Sequence, residues 1–521
     1  MILTRRNLVG VALVVGALFG SGSFVTEAVA QEKVLRLPLA RTAGNLDPQR
    51  YVGMFAVQDM VFDPLVDYVR GGEIVPALAE SWEVSEDGKT ITFHLRPNVT
   101  FTDGTPWNAE AMTWNLERWM PKEDYNWLAV AANFDRLETI DDLTVAVHFK
   151  ERVPTALTEF AYVRPVRFLS PKSVDKDGAY VAPVGTGPWK VASETAGSTE
   201  LVPNENYWGE KIDLDRVVLT VLPDARSRLS ALRAGEIDAI GGNFIAALSP
   251  QDALTLKSSG MTVVSDVGAD TLVMGFNPNR PLFQDVKVRE AFNLLIDRPA
   301  IAKVIMKDYA TPTMNLYPDV VPNSGTRYEV PAKDVERAKA LLEEAGWTGD
   351  GDTRTKDGQP LDIEMLISED AVAGSREIGE VLQNMFAEAG IKMSLRNVDH
   401  AARHGEIPSM HYDVSLFITN GAPYDPFNTL VQMFDSTIQA GTDGKIYMST
   451  ELDPLIQAAV TASDAEQAAK FQAVYDWLHD NWAIAPIFHK SRIWAHGDNI
   501  RTFVVPPTEY EMPLTGLVVA D

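Results

Sequence analysis

Polar and apolar residues alternate along Ile91-Thr92-Phe93-His94-Leu95-Arg96 and again along Thr144-Val145-Ala146-Val147-His148-Phe149. A period of two turns one face to a core and the other to water, so both stretches predict half-buried strands. Glu86-Asp87-Gly88-Lys89 predicts the turn ahead of the first strand, Phe101-Thr102-Asp103-Gly104-Thr105-Pro106 predicts a second turn, and residues 109–119 predict a helix. In the second half of the chain the period lengthens. Between residues 376 and 389 the apolar positions are Ile378, Val381, Leu382, Met385 and Phe386, the spacing of one helical face. Gly390 can close that helix in the left-handed region, and residues 391–395 continue as a strand. Residues 335–345 followed by Gly346-Trp347 repeat the device, so this half predicts an α/β lobe.

The first thirty residues follow another rule. Arg5 and Arg6 precede a short apolar run, and Ala28-Val29-Ala30 offers a small-residue cleavage site, which predicts an export leader over 1–30. Thr4-Arg5-Arg6-Asn7-Leu8-Val9 resembles a twin-arginine signal. The chain has no cysteine, so neither disulfides nor a lipidated cysteine is available, and a freely diffusing periplasmic protein stabilised by its core is expected. The 72 acidic against 46 basic residues give a formal charge of −26, which opposes binding to nucleic acid.

Catalytic signatures are missing. The sequence holds no phosphate-binding loop of the Walker type, no G-x-S-x-G elbow and no cysteine nucleophile. His400-Ala401-Ala402-Arg403-His404 has histidines one helical turn apart, but Ala401 stands where a zinc protease needs its glutamate. With His411, the pair places three of eight histidines within a dozen residues, which reads as a solvated helix end with His404 kept as a candidate ligand contact.

Two strings carry the strongest signal: Gly185-Thr186-Gly187-Pro188-Trp189 and Asn204-Glu205-Asn206-Tyr207-Trp208-Gly209. Their glycines allow tight turns and their tryptophans can bury large faces, so they read as architecture. Together they resemble the signature of the extracytoplasmic receptors for peptides, opines and nickel chelates that serve ABC importers, and the resemblance spans essentially the whole chain after the leader. It implies a two-lobed α/β fold, the type II periplasmic binding protein architecture with an extra strand-rich subdomain. Lobe I would comprise 31–275 and 487–521, and lobe II 276–486. Val273-Met274-Gly275-Phe276-Asn277 and Ala485-Pro486-Ile487-Phe488 resemble the two crossings between lobes, and two crossing strands make a hinge. The implied partner is an inner-membrane ABC permease, the implied state a monomer, and no cofactor or catalytic residue is implied.

Within that family the nickel-chelate branch resembles this chain most. Arg164-Pro165-Val166-Arg167-Phe168 is similar to the branch's arginine segment, which implies that Arg164 grips a carboxylate with its planar fork of donors. Pairing of Arg164 with an internal acid is the alternative, and Arg167 could serve either role. Trp127, Tyr51, Met54 and Phe55 fall where the branch lines its cleft, and Gly421-Ala422-Pro423-Tyr424-Asp425-Pro426 is similar to a cleft loop whose tyrosine, here Tyr424, faces the ligand. Asn420 replaces the tryptophan expected before that loop, Asp124 lies where a second arginine is expected, and residues near Ile438 lack the branch's metal-binding histidine. The expectation is therefore a receptor for a small anionic ligand, a metal chelate or a related polycarboxylate or amino-acid conjugate, with a peptide or opine receptor as the alternative.

Overall fold

A computed structural model of the chain describes residues 32–243, 245–349, 352–420, 426–438, 444–512, 514 and 516–520. The leader expected over 1–30 lies outside them, and among the described residues no helix is long and apolar enough to cross a membrane. The two alternating stretches form the strands Thr90–Leu95 and Thr144–Phe149, which pair antiparallel with Thr90 opposite His148. Ala79–Val84 and Phe134–Asp141 complete a four-stranded sheet. Its inner face buries Ile91, Phe93, Leu95, Val145 and Val147, the odd-numbered set that the alternation marks. Helix Ala109–Glu117 lies on this core, its first turn closed by the Asn108 side chain accepting from the Ala111 amide at 3.0 Å.

A second four-stranded sheet runs in the order Val34–Leu39, Arg216–Val221, Ser198–Pro203, Trp189–Glu194. The two signature strings meet here, through contacts different from those expected. Neither Gly185 nor Gly187 has a positive φ. What they need is room: a β-carbon on Gly185 would stand 2.0 Å from the Val61 carbonyl oxygen, and one on Gly187 2.7 Å from it. The Gly187 amide donates to that same oxygen at 3.0 Å. The buried Asn204 side chain then donates to the Gly187 carbonyl at 3.0 Å, locking one string to the other. Trp189 is wholly buried, while Trp208 donates its indole N–H to Asp63 at 2.7 Å.

The helix-then-strand half forms as expected. Helices Val286–Leu295, Val335–Glu344 and Ser375–Ala387 pack with a seven-stranded sheet that includes Asp362–Ile367, Lys392–Asn397 and Val414–Ile418. Gly346 and Gly390 follow their helices with φ of +88° and +76°.

The centre of that sheet is made by the two long strands Thr262–Phe276 and Ile484–His496, antiparallel to each other. Thr262 to Val267 face Ser491 to His496, the end that also pairs with Ala239–Gly241. Beyond an interruption, Thr271 to Gly275 face Ile484 to His489, and Leu272 to Phe276 pair with Val414–Ile418. Partners thus change around residues 268–270 and at Lys490, a few residues from the lobe boundaries read from the sequence. One apolar cluster contains Phe93, Trp107 and Phe160 on one side and Phe417, Phe427 and Phe471 on the other, so the lobes touch through apolar side chains.

The Gly185→Ala variant should lose about 3 kcal/mol or more of stability, because the new methyl meets backbone that cannot step aside. Denaturant unfolding measures this, and a loss below about 1 kcal/mol would contradict the close-approach account.

Candidate functional site

Arg164 follows the short helix Ala156–Phe160, and only 8 % of it is exposed. Its Nη1 donates to the Val52 carbonyl at 3.0 Å. The guanidinium carbon lies 3.4 Å from the centre of the Phe55 ring and 5.5 Å from that of Tyr51. The first distance is a stacking contact, in which the ring quadrupole attracts the cation and fixes the plane of its donor fork. Phe55 opens helix Phe55–Val61, a rigid support. The Tyr51 ring lies 5.8 Å from Trp127, and Trp127 stacks on Tyr162 at 6.5 Å with planes 15° apart. Four of the residues singled out from sequence, Arg164, Phe55, Tyr51 and Trp127, therefore share one wall.

Others in that set have different surroundings. Met54 is 2 % exposed and sits in an apolar core with Val57 and Val61, so it backs the wall and does not face the cleft. Of the two roles open to Arg167, the structure fills the internal one. Its Nη2 meets Asp59 at 2.6 Å, and its Nη1 donates to the carbonyls of Ala161 and Tyr162 at 3.1 and 3.3 Å. Tyr424 lies outside the described residues.

Tyr510 packs on Phe55 with ring centres 4.9 Å apart and lines a cavity of about 500 Å³. The cavity forms where the long strands change partners. Asp270 and Lys490 line it from the strands themselves, Asn243 and Glu509 from the side of the first lobe, and Glu369, Arg403 and Asn420 from the second. Asn420 is held by the Asn428 side chain at 2.9 Å and by the Thr429 hydroxyl.

Acids outnumber bases around this space, but their charge is largely answered. Asp270 meets Lys490 at 3.2 Å. Glu369 accepts from the Gly374 amide and the Ser375 hydroxyl, at the positive end of helix Ser375–Ala387. Burial, reinforced by the Asp270 charge, pushes the Glu509 carboxyl up to about 8, so at neutral pH it is mostly protonated while accepting from Asn243 at 2.8 Å. Arg403 is buried, donates to the Leu416 carbonyl at 3.3 Å and lies 5.6 Å from the Phe417 ring.

The three clustered histidines separate. His400 and His404 stand on helix His400–Glu406 with ring centres 4.2 Å apart, and His400 lines the cavity. His411 turns to Glu406 at 3.5 Å. Among the described residues no three His, Asp or Glu side chains converge as a metal's ligands would.

Sequence reasoning missed Tyr510, Arg403 and the Asp270–Lys490–Glu509 group. Arg403 sits inside a segment read for its histidines, and Tyr510 belongs to a proline-rich stretch with no periodic pattern. Nothing short of the fold joins residues 270, 490 and 509.

Removing the Arg167 side chain leaves the buried Asp59 carboxylate unanswered, and Arg167→Ala should destabilise by about 3–5 kcal/mol, read as a fall in unfolding midpoint. Glu509 works in the opposite sense. Its folded pKa lies above its ordinary value of 4.5, so the stability it contributes is present below that value and is lost as pH rises through about 8. Thermal unfolding of Glu509→Gln should therefore decline less steeply than wild type between pH 5 and 9, and identical slopes would show that Glu509 does not titrate in this window.

Comparison with known proteins gives one consistent answer. The family model for bacterial extracellular solute-binding proteins, family 5 middle, matches residues 73–441. The chain is 30% identical over 515 residues to the nickel-binding periplasmic protein of Escherichia coli K12, an alignment covering 95% of this chain and 96% of the relative. A crystal structure of an ABC transporter substrate-binding protein from Sinorhizobium meliloti is 46% identical with a TM-score of 0.85, covering 94% of this chain and all of that one. NikA from Brucella suis in complex with Fe(III)-EDTA is 27% identical with a TM-score of 0.87 and the same coverage. Signature strings, paired crossing strands and these similarities place the chain among the family 5 solute-binding proteins of ABC importers.

Proposed function

We propose that this protein is a periplasmic receptor that captures a small anionic ligand, a metal chelate or a related polycarboxylate or amino-acid conjugate, and hands it to an ABC permease. The observation that carries this reading is Arg164, laid flat on Phe55 within an aromatic wall that continues through Tyr510 into the cavity. A guanidinium fixed in plane matches a carboxylate bidentately, and aromatic faces suit the methylene skeleton of a chelator. The largely answered acids around the cavity lower the electrostatic opposition to an anion. Arg403 adds a cation from the second lobe, so contacts to both lobes would favour the closed arrangement over the open one. The nickel-binding relative and the Fe(III)-EDTA complex support the choice of cargo class. Residues 1–30 support the location.

A thermal-shift screen of nickel–EDTA, nickel–histidine, citrate and short peptides checks the proposal, with haem and glutathione, which other family members are named for binding, as further arms. An anionic chelate at a hundred times its dissociation constant should stabilise the fold by about 2.7 kcal/mol. Arg164→Ala should weaken it by about 1.5–3 kcal/mol, the contribution of a charge-assisted hydrogen bond. A shift only from neutral peptides, unchanged in Arg164→Ala, would overturn this reading in favour of a peptide receptor.

A further inference from the structure

His400 and His404 remain unused by that reading. They stand four residues apart on helix His400–Glu406, whose first turn is fixed by the Asp399 side chain accepting from the Ala402 amide at 2.8 Å. Residues with this spacing share one helix face, and the two imidazole rings lie 4.2 Å apart, centre to centre, at 60° to one another. Two imidazoles sharing one ion at ordinary metal–nitrogen distances hold their centres about 4–5 Å apart, so the separation matches a shared ion. His400 borders the cavity and is exposed, while His404 is half-buried behind it, so the pair stands at the rim with one side open.

We propose that His400 and His404 are a bidentate metal-binding site that takes two coordination positions of a nickel- or copper-class ion carried into the cleft by an incompletely coordinating carboxylate chelator. The inference rests on the cargo reading above and deepens it. Imidazole nitrogens select ions of this class over magnesium or calcium. Among the described residues these two donors have no third that converges with them, and the chelator supplies the remaining positions. Arg403 lies between the two histidines in sequence and lines the same cavity. Its positive charge opposes a bare dication and favours one already wrapped in carboxylates. The site thus discriminates by coordination number: a chelate with open positions gains two nitrogen bonds, and a saturated chelate gains none.

The test compares two probes on wild type, His400→Ala, His404→Ala and the double variant, with matched unfolding midpoints as the control for folding. Nickel–EDTA leaves no position open, and nickel–iminodiacetate leaves several. Calorimetric affinity for nickel–iminodiacetate should fall at least about tenfold in each single variant, the loss that even an outer partner of a metal ligand brings, while nickel–EDTA affinity stays unchanged. With copper(II)–iminodiacetate, the wild-type electron paramagnetic resonance spectrum should show coupling to two imidazole nitrogens that is lost in the double variant. If both chelates bind every variant equally, the histidine site is refuted and the anionic-cargo reading stands. If neither chelate binds wild type, the cargo reading falls, and the copper spectrum alone decides: a two-nitrogen pattern keeps the site, and its absence removes it.

Discussion

The antiparallel pairing of Thr262–Phe276 with Ile484–His496 is the constraint on which the remaining structure depends. Both strands run the full width of the central sheet, and Ala239–Gly241 and Val414–Ile418 build their own ladders on them. The ladder between the two long strands is interrupted between Val267 and Thr271, opposite His489 to Ser491, and shifts register again between Leu272 and Val273. Around the longer interruption lie Asp270 and Lys490, so the point of easiest bending coincides with an ion pair whose acid is buried and whose lysine is partly exposed to the cavity. Parting the pair costs most at the Asp270 end, where the buried carboxylate would lose its counter-charge. Bending motion is therefore confined to geometries that keep these two side chains together.

The aromatic wall around Arg164 is built backwards from the same economy of rigid parts. Met54 and Val57 seat helix Phe55–Val61 in the core, the helix presents Phe55, and Phe55 holds the Arg164 guanidinium in plane. Arg167, three residues along the same segment, closes on Asp59 of that helix. Two arginines in one short string thus do different things: Arg167 fastens the segment to the helix through an acid, and Arg164 lies against the Phe55 ring at the helix start. A lysine at position 164 would keep the charge and lose the plane that the ring enforces.

Much of this was legible in the sequence, and the reasons differ by residue. The strands at 90–95 and 144–149 declared themselves because alternation is a local property that survives folding unchanged. The helices ending near Gly346 and Gly390 did so because a left-handed closing residue is almost always glycine. Gly185 and Gly187 were visible as essential but not for the right reason, since the Val61 carbonyl that crowds them is more than a hundred positions away. The same distance hid Tyr510 from Phe55 and Glu509 from Asp270. Met54 and Arg167 show the converse: closeness in sequence to a residue of the wall says nothing about which side of it a side chain takes.

The apolar cluster that joins Phe93 and Phe160 to Phe427 and Phe471 has a thermodynamic corollary. Parting the lobes wets that surface, and wetting hydrocarbon carries a positive heat-capacity increment. Any equilibrium that parts the lobes is then curved in temperature, with cooling weakening the grip between them as it weakens hydrophobic contact in general. Contact between the lobes is then strongest at an intermediate temperature and loosens on cooling from there.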